Sequence, residues 1–183
     1  SARASRLYGR VLADTKGKDD AREVRRALQA IEGLVQLRIA EDDIEGAVAF
    51  MDKQLAEVER PEVEAQLLTE IGRITYRTTK DVEGAKARFA AALAIDASHP
   101  GASLGLGELA LASDDLAEAE SCFEKAIEAY GLVNDQTGLV DALVGLAKVF
   151  ERSDRAGEAY RRLNTALRHD PENLGIRTAL VRN

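Results

Sequence analysis

The stretch that decides the fold is residues 101–130, GASLGLGELALASDDLAEAESCFEKAIEAY. It holds two segments rich in alanine and leucine, which are separated by the polar turn sequence Ser113-Asp114-Asp115. In the second segment Ala119, Phe123 and Ile127 recur every four residues, so they share one face of a helix. The stretch therefore predicts two helices that are joined by a short turn and pack against each other.

The same arrangement recurs along the chain. A small residue followed by large apolar residues four and eight positions later occurs at Ala47, Ala85, Ala119 and Ala159, at steps of 38, 34 and 40 residues. Each of these segments is preceded by another apolar segment, so four copies predict four helix pairs. Aspartates stand where a carboxylate would accept free backbone N–H groups at the start of the second helix; they are Asp43, Asp81, Asp115 and Asp154.

Glycines inside the first helices need a compensating contact, because a glycine in a helix costs roughly 1 kcal/mol relative to alanine. Gly72 and Gly107 are two such residues, and Ala85 and Ala119 occupy the complementary places on the second helices. We expect these small residues to face each other, which would let the helix axes approach to roughly 8–10 Å.

Apolar periodicity and turn residues predict ten helices, and no strand pattern with a period of two occurs. Pro61 and Pro171 suit the starts of helices, where the missing N–H is not needed. The predicted helices cover residues 3–12, 21–40, 44–58, 61–78, 82–95, 101–112, 116–132, 136–152, 155–168 and 172–180.

The repeated pattern resembles the tetratricopeptide repeat (TPR), a helix-pair motif of about 34 residues. The third copy matches best, at Leu106-Gly107, Ala119, Phe123 and Ala126. The first copy matches poorly, with Met51 where the family has an aromatic residue. The resemblance implies an all-α, right-handed superhelical solenoid of antiparallel helix pairs, with a core shared between neighbouring pairs.

On this basis residues 21–171 form four TPR-like helix pairs, at about 21–60, 61–97, 100–133 and 136–171. Residues 1–20 are expected to be an N-terminal helix that either caps the array or ends a preceding repeat. Residues 172–183 are expected to be a capping helix or the start of a fifth unit. Ser1 in place of an initiator methionine suggests a processed or excised chain. The compartment is therefore left open, with a preference for the cytoplasm.

Composition disfavours several classes of function. The net charge is −7, which provides no basic field to attract nucleic acid. No stretch is apolar over the roughly 20 residues that a membrane span needs. We expect His99 and His169 to be surface residues near helix C-termini, and the single Cys122 to be buried and unreactive. We therefore predict a chain that is not an enzyme and has no catalytic residue, metal site or cofactor.

In the TPR family the first helix of each pair lines a concave groove, and its lining positions can be transferred to this sequence. The residues that this transfer implies as a peptide-binding groove are Gln36, Thr69, Arg73, Tyr76, Arg77, Leu104, Glu108, Leu111, Val144 and Lys148. The transfer also gives seven further lining positions, which are Gln29, Glu32, Ile39, Gln66, Gly101, Asp141 and Glu151. The clamp of lysine, asparagine and arginine that some members use for a C-terminal carboxylate is absent, because its positions hold Glu32, Gln36, Gly101 and Gly105.

These features predict a non-catalytic protein–protein interaction module that takes a peptide or helix of a partner protein into its concave groove. Two alternatives stay open. The first is a structural domain that self-associates, for example as a homodimer through its terminal helices. The second is a regulatory or sensor segment of a larger multidomain protein.

Overall fold

The computed structural model of the chain describes residues 2–15, 21–58 and 60–182. These ranges contain ten α-helices and no strand. The helices are α1 (Ala2–Thr15), α2 (Ala21–Ala40), α3 (Ile44–Glu57), α4 (Pro61–Thr79), α5 (Val82–Ile95), α6 (Pro100–Ala112), α7 (Leu116–Val133), α8 (Gln136–Arg152), α9 (Ala156–His169) and α10 (Leu174–Arg182). All ten predicted helices are present, although residues 16–20 of the predicted N-terminal segment lie outside the described residues.

Successive helices pair as α2/α3, α4/α5, α6/α7 and α8/α9, and the short turn inside each pair makes its two helices antiparallel. Packing is densest within the second, third and fourth pairs. First helices also touch across pairs, α4 with α6 and α6 with α8, so they form one layer of a solenoid. The predicted all-α architecture of stacked helix pairs is therefore confirmed.

Glycines of the first helices receive aromatic rings of the second helices. A Cβ placed on Gly72 would lie 2.9 Å from the ring of Phe89, and one on Gly107 would lie 2.9 Å from the ring of Phe123. The atoms nearest to each added Cβ belong to these rings and not to Ala85 or Ala119, which the sequence analysis expected there. A flat ring needs more room than a methyl group, and only a residue without a side chain leaves that room.

The same two rings are also covered by glycines of the following pair. A Cβ on Gly105 would overlap the ring of Phe89, and one on Gly145 would overlap the ring of Phe123. Both phenylalanines are only 1% exposed. We call each arrangement of one ring between two glycines an aromatic slot, and the two slots are Gly72–Phe89–Gly105 and Gly107–Phe123–Gly145.

Three of the four predicted aspartate caps are confirmed. The carboxylates of Asp43, Asp81 and Asp115 accept hydrogen bonds from backbone N–H groups three residues further on, at 2.9, 2.9 and 3.0 Å. A fourth carboxylate, that of Asp135, caps α8 in the same way at 3.1 Å. These side chains satisfy N–H groups that would otherwise lack an acceptor at the helix start.

The predicted cap at Asp154 is wrong. This residue has a φ of 56°, which is a left-handed conformation. It lies one residue before the N-cap of its helix, as Asp114, with a φ of 62°, lies before the cap Asp115. The N-cap of α9 is Arg155, whose side chain cannot accept a hydrogen bond. Arg155 instead donates to Glu158 at 2.7 Å and to Glu120 of α7 at 2.7 Å, which connects the third and fourth pairs.

The prolines differ in their positions. Pro61 is the first residue of α4, as predicted, and Pro100 is the first residue of α6. Pro171 lies in the turn before α10, so the prediction that it starts this helix is wrong. The side-chain oxygen of Asn173 accepts from the backbone N–H of Ile176 at 3.2 Å, which fixes the start of α10 after the proline.

Candidate functional site

A cleft of about 460 Å³ lies beside the layer of first helices formed by α4, α6 and α8. Its lining residues are Arg73, Tyr76, Arg77, Phe89, Gly101, Leu104, Gly105, Glu108, Tyr130 and Asp141. Five of the ten groove residues predicted from the sequence are among them, as are the transferred positions Gly101 and Asp141. The contacts of α6 with both α4 and α8 bring these side chains together from three repeat units.

Helix α4 supplies the basic wall of the cleft. Arg73, Tyr76 and Arg77 are three and four residues apart, so they lie on one face of this helix. The guanidinium of Arg73 pairs with Glu70, one turn earlier, at 3.3 Å. The ammonium of Lys80 lies 5.4 Å from the centroid of the Tyr76 ring, a distance at which the cation is attracted to the ring.

Two carboxylates line the cleft from the neighbouring first helices, Glu108 from α6 and Asp141 from α8. Desolvation by the surrounding protein raises the pKa of both groups, and the charge of Arg73 partly opposes both shifts. Glu108 stays open to solvent, so the desolvation comes from the concave walls of the cleft and not from enclosure in the core.

Tyr130 is a lining residue that the sequence analysis did not identify. It is 8% exposed, and its ring packs on Gly138, where a Cβ would overlap the ring. Burial raises the pKa of its phenol to about 12, and the charge of Asp135 is the next largest cause. The available signal was an aromatic residue near the end of α7, a second helix longer than those of the other pairs.

Thr69 is not an accessible groove residue, and this part of the prediction is corrected. Its side chain is 1% exposed. Its hydroxyl donates to the backbone oxygen of Ala65 at 2.9 Å and lies 3.4 Å from Nδ1 of His99. The position faces the junction between α4 and α6 because α6 packs over it.

The other four predicted groove residues lie outside the lining of this cleft. Gln36 lines a separate hollow of about 100 Å³ with residues of α2, α3 and α4. Leu111 and Val144 are partly buried and pack against the C-terminal core cluster. Lys148 is exposed, and its charge opposes the upward shift of the pKa of Glu108.

The prediction for His99 is wrong. This residue is 8% exposed and is the N-cap of α6, where its Nδ1 accepts from the backbone N–H of Ala102 at 3.2 Å. Burial lowers its pKa, against the opposing charge of Asp96. His169 is exposed at the end of α9, as predicted, with Nδ1 at 2.6 Å from Oε1 of Gln136.

Cys122 is buried, and burial is the first cause that raises the pKa of its thiol, which fits the prediction of an unreactive side chain. Across the described ranges, no group of three or more His, Cys, Asp or Glu side chains is placed to hold a metal ion. No helix among the described residues is both long enough and apolar enough to cross a membrane.

The fold and the cleft define the class of the protein as a solenoid of helical repeats. Residues 100–172 match the family model of the tetratricopeptide repeat, and the fold of the chain is that of tetratricopeptide repeat proteins. Proteins of this family are in general protein–protein interaction scaffolds and not enzymes. None of the curated protein sequences matches the chain.

Solved structures with the same fold come from several organisms. BtubC from P. vanneervenii is 15% identical, with a TM-score of 0.74, over 94% of this chain and 74% of that chain. TTC0263, a TPR protein of Thermus thermophilus, is 18% identical, with a TM-score of 0.65, over 99% and 97%. The N-terminal domain of STI-1 from C. elegans is 17% identical, with a TM-score of 0.60, over 68% and 98%. These similarities establish the TPR solenoid fold predicted from the sequence.

Proposed function

We propose that this chain is an interaction module that binds a peptide or helical segment of a partner protein in the cleft beside α4, α6 and α8. The observation that carries this proposal is the convergence of side chains from three repeat units on one preformed concavity. Tyr76 and Leu104 offer apolar contact, and charged groups surround them. A preformed cleft favours binding because little conformational entropy is lost when the partner docks.

The proposal can be tested with a displayed library of random peptides that is selected on the immobilised chain. The double variant Tyr76→Asp/Leu104→Asp should lose binding of the selected peptides, because two charges would replace the apolar contacts. The matched control is Tyr160→Asp/Leu132→Asp, which changes the same residue types at exposed positions outside the cleft. Equal binding by the cleft variant and the unchanged chain would rule out this site.

A second candidate function is self-association through α10. Leu174 and Val181 are 74% and 90% exposed, and their spacing of seven residues places them on one face of this helix. A homodimer that pairs these faces would bury both side chains. Light scattering over a range of concentrations tests this candidate, since Leu174→Ser/Val181→Ser should abolish any dimer that the unchanged chain forms, and a chain that is monomeric throughout would exclude it.

A further inference from the structure

Three oxygen-bearing side chains from three helices line the same cleft: Glu108 of α6, Tyr130 of α7 and Asp141 of α8. Among the residues that the structure describes, none of these side chains has a hydrogen bond or an ion pair within 4.0 Å. Arg73 on the basic wall, by contrast, already pairs with Glu70 at 3.3 Å. All three of these acceptors are therefore unpaired, and one of the two arginines that line the cleft is already paired.

Tyr130 is the residue that points to a bound group. It is 8% exposed, and buried polar groups in proteins nearly always have a hydrogen-bond partner. No side-chain polar atom of the described residues is both closed to solvent and unpaired. The phenol oxygen of Tyr130 is therefore open to solvent, and Tyr130 lines the cleft, where a ligand group can contact it.

The charges beside this phenol favour a cation over an anion. The two carboxylates are desolvated by the cleft, which raises the pKa of each, and a bound positive charge would offset that cost. The phenol oxygen carries lone pairs, so it can accept a hydrogen bond from an N–H group of that cation. The net charge of −7 over the whole chain also attracts basic partners.

Building on the proposed function, we infer that the cleft recognises a basic side chain, lysine or arginine, of the partner segment. The carboxylates of Glu108 and Asp141 bind its positive charge, and the phenol oxygen of Tyr130 accepts one of its N–H groups. Arg73 and Arg77 on α4 then repel the same group, which confines it to the α6/α8 side of the cleft.

Two pools of short synthetic peptides test this inference. Their flanking positions are randomised among the same uncharged residues, and the central position is lysine or arginine in one pool and aspartate or glutamate in the other. We expect the unchanged chain at neutral pH to bind the basic pool roughly tenfold more tightly than the acidic pool, as for a charge-assisted hydrogen bond that only one pool can form. Equal binding of the two pools, or a preference for the acidic pool, would overturn the inference while leaving the cleft as a binding site. Binding of neither pool would overturn both proposals.

Two variants locate the preference within the cleft. Glu108→Gln/Asp141→Asn should abolish the preference for the basic pool, and Tyr130→Phe, which removes one oxygen atom, should reduce it by a few-fold. The matched control is Glu124→Gln/Glu128→Gln, which removes the same number of charges from exposed positions of α7 outside the cleft lining. A control that loses the preference as fully as the cleft variant would show a general charge effect and overturn the assignment. Circular dichroism melting verifies that each variant is folded.

Discussion

The junctions between helix pairs differ between the middle of the chain and its N-terminal part. In the middle, the rings of Phe89 and Phe123 each lie between two glycines, one from their own pair and one from the next. At the junction between the first and second pairs, Met51 replaces the aromatic residue. The position two residues before Gly72 is occupied by Glu70, whereas the equivalent position before Gly107 is occupied by Gly105. The contact of a large residue against a small one is therefore a property of particular junctions and not of the whole array.

The packing of α1 on the first pair resembles the junctions in the middle of the chain more than the junction between the first and second pairs does. A Cβ on Gly33 would lie 2.5 Å from the ring of Tyr8 in α1. The ring of Tyr8 therefore packs on a glycine of the next helix, as the ring of Phe89 packs on Gly105. Tyr8 is only partly buried, however, whereas Phe89 is 1% exposed, so the same contact should contribute less stability here.

The largest expected effect comes from removing the ring of an aromatic slot. Phe123→Ala should lower the free energy of unfolding by roughly 3–5 kcal/mol, because it leaves a cavity between two helix pairs. Tyr8→Ala should lower it by about 1 kcal/mol, since the ring is partly exposed. Urea unfolding followed by circular dichroism measures both values, and similar losses for the two variants would remove the distinction between these junctions.

A smaller effect is expected when a methyl group is added to the glycine that faces each ring. Gly145→Ala places its new Cβ against the enclosed ring of Phe123, and this overlap should destabilise the fold by roughly 1–3 kcal/mol. Gly33→Ala should change stability by less than about 0.5 kcal/mol, because the exposed side of Tyr8 lets its ring move.

The matched control for the glycine series is Gly131 in α7, where an added Cβ would have no neighbouring atom within 4 Å. Gly131→Ala should stabilise the chain by about 0.5–1 kcal/mol through the lower entropy of its unfolded state. Thermal melting ranks the three variants, and a stabilising effect of Gly145→Ala would contradict the slot geometry.

The smallest effect concerns the cap at the junction of the second and third pairs, where His99 replaces the aspartate that caps other helices. Because burial lowers the pKa of His99 in the folded state, the contribution of the neutral ring is complete above the unfolded pKa of about 6.5 and is lost as the pH falls through the folded pKa. His99→Asn keeps a capping oxygen that does not titrate.

The measurement is the difference in unfolding free energy between the unchanged chain and His99→Asn, taken from pH 7.5 down to pH 5. We expect the unchanged chain to lose stability relative to the variant as the pH falls. Glu70 and Glu108 have raised pKa values, which shift stability in the opposite direction, but they are present in both proteins and cancel in the difference. A difference that does not vary with pH would show that His99 is not a titrating cap.

Local features of the sequence were enough to predict most of the fold. Helix positions follow from apolar periodicity, and the caps at Asp43, Asp81 and Asp115 follow from residue type and position, because these interactions involve residues only a few positions apart. Asp154 was misplaced because aspartate suits both a capping position and a left-handed turn position. The choice between the two depends on whether the aspartate is the last residue of the turn, as Asp115 is, or the residue before it, as Asp154 is.

The cleft was only partly predictable for a different reason. Sequence spacing places Arg73, Tyr76 and Thr69 on the same face of α4, but Thr69 is buried under α6, Tyr76 is partly buried and Arg73 is exposed. Tyr130 belongs to a second helix, so no lining position of a first helix could indicate it. The sequence by itself determined the helices, their pairing and the TPR repeat, since these depend on local periodicity. The tertiary structure alone decided which side chains share the cleft, because burial depends on the packing of helices that are distant in sequence.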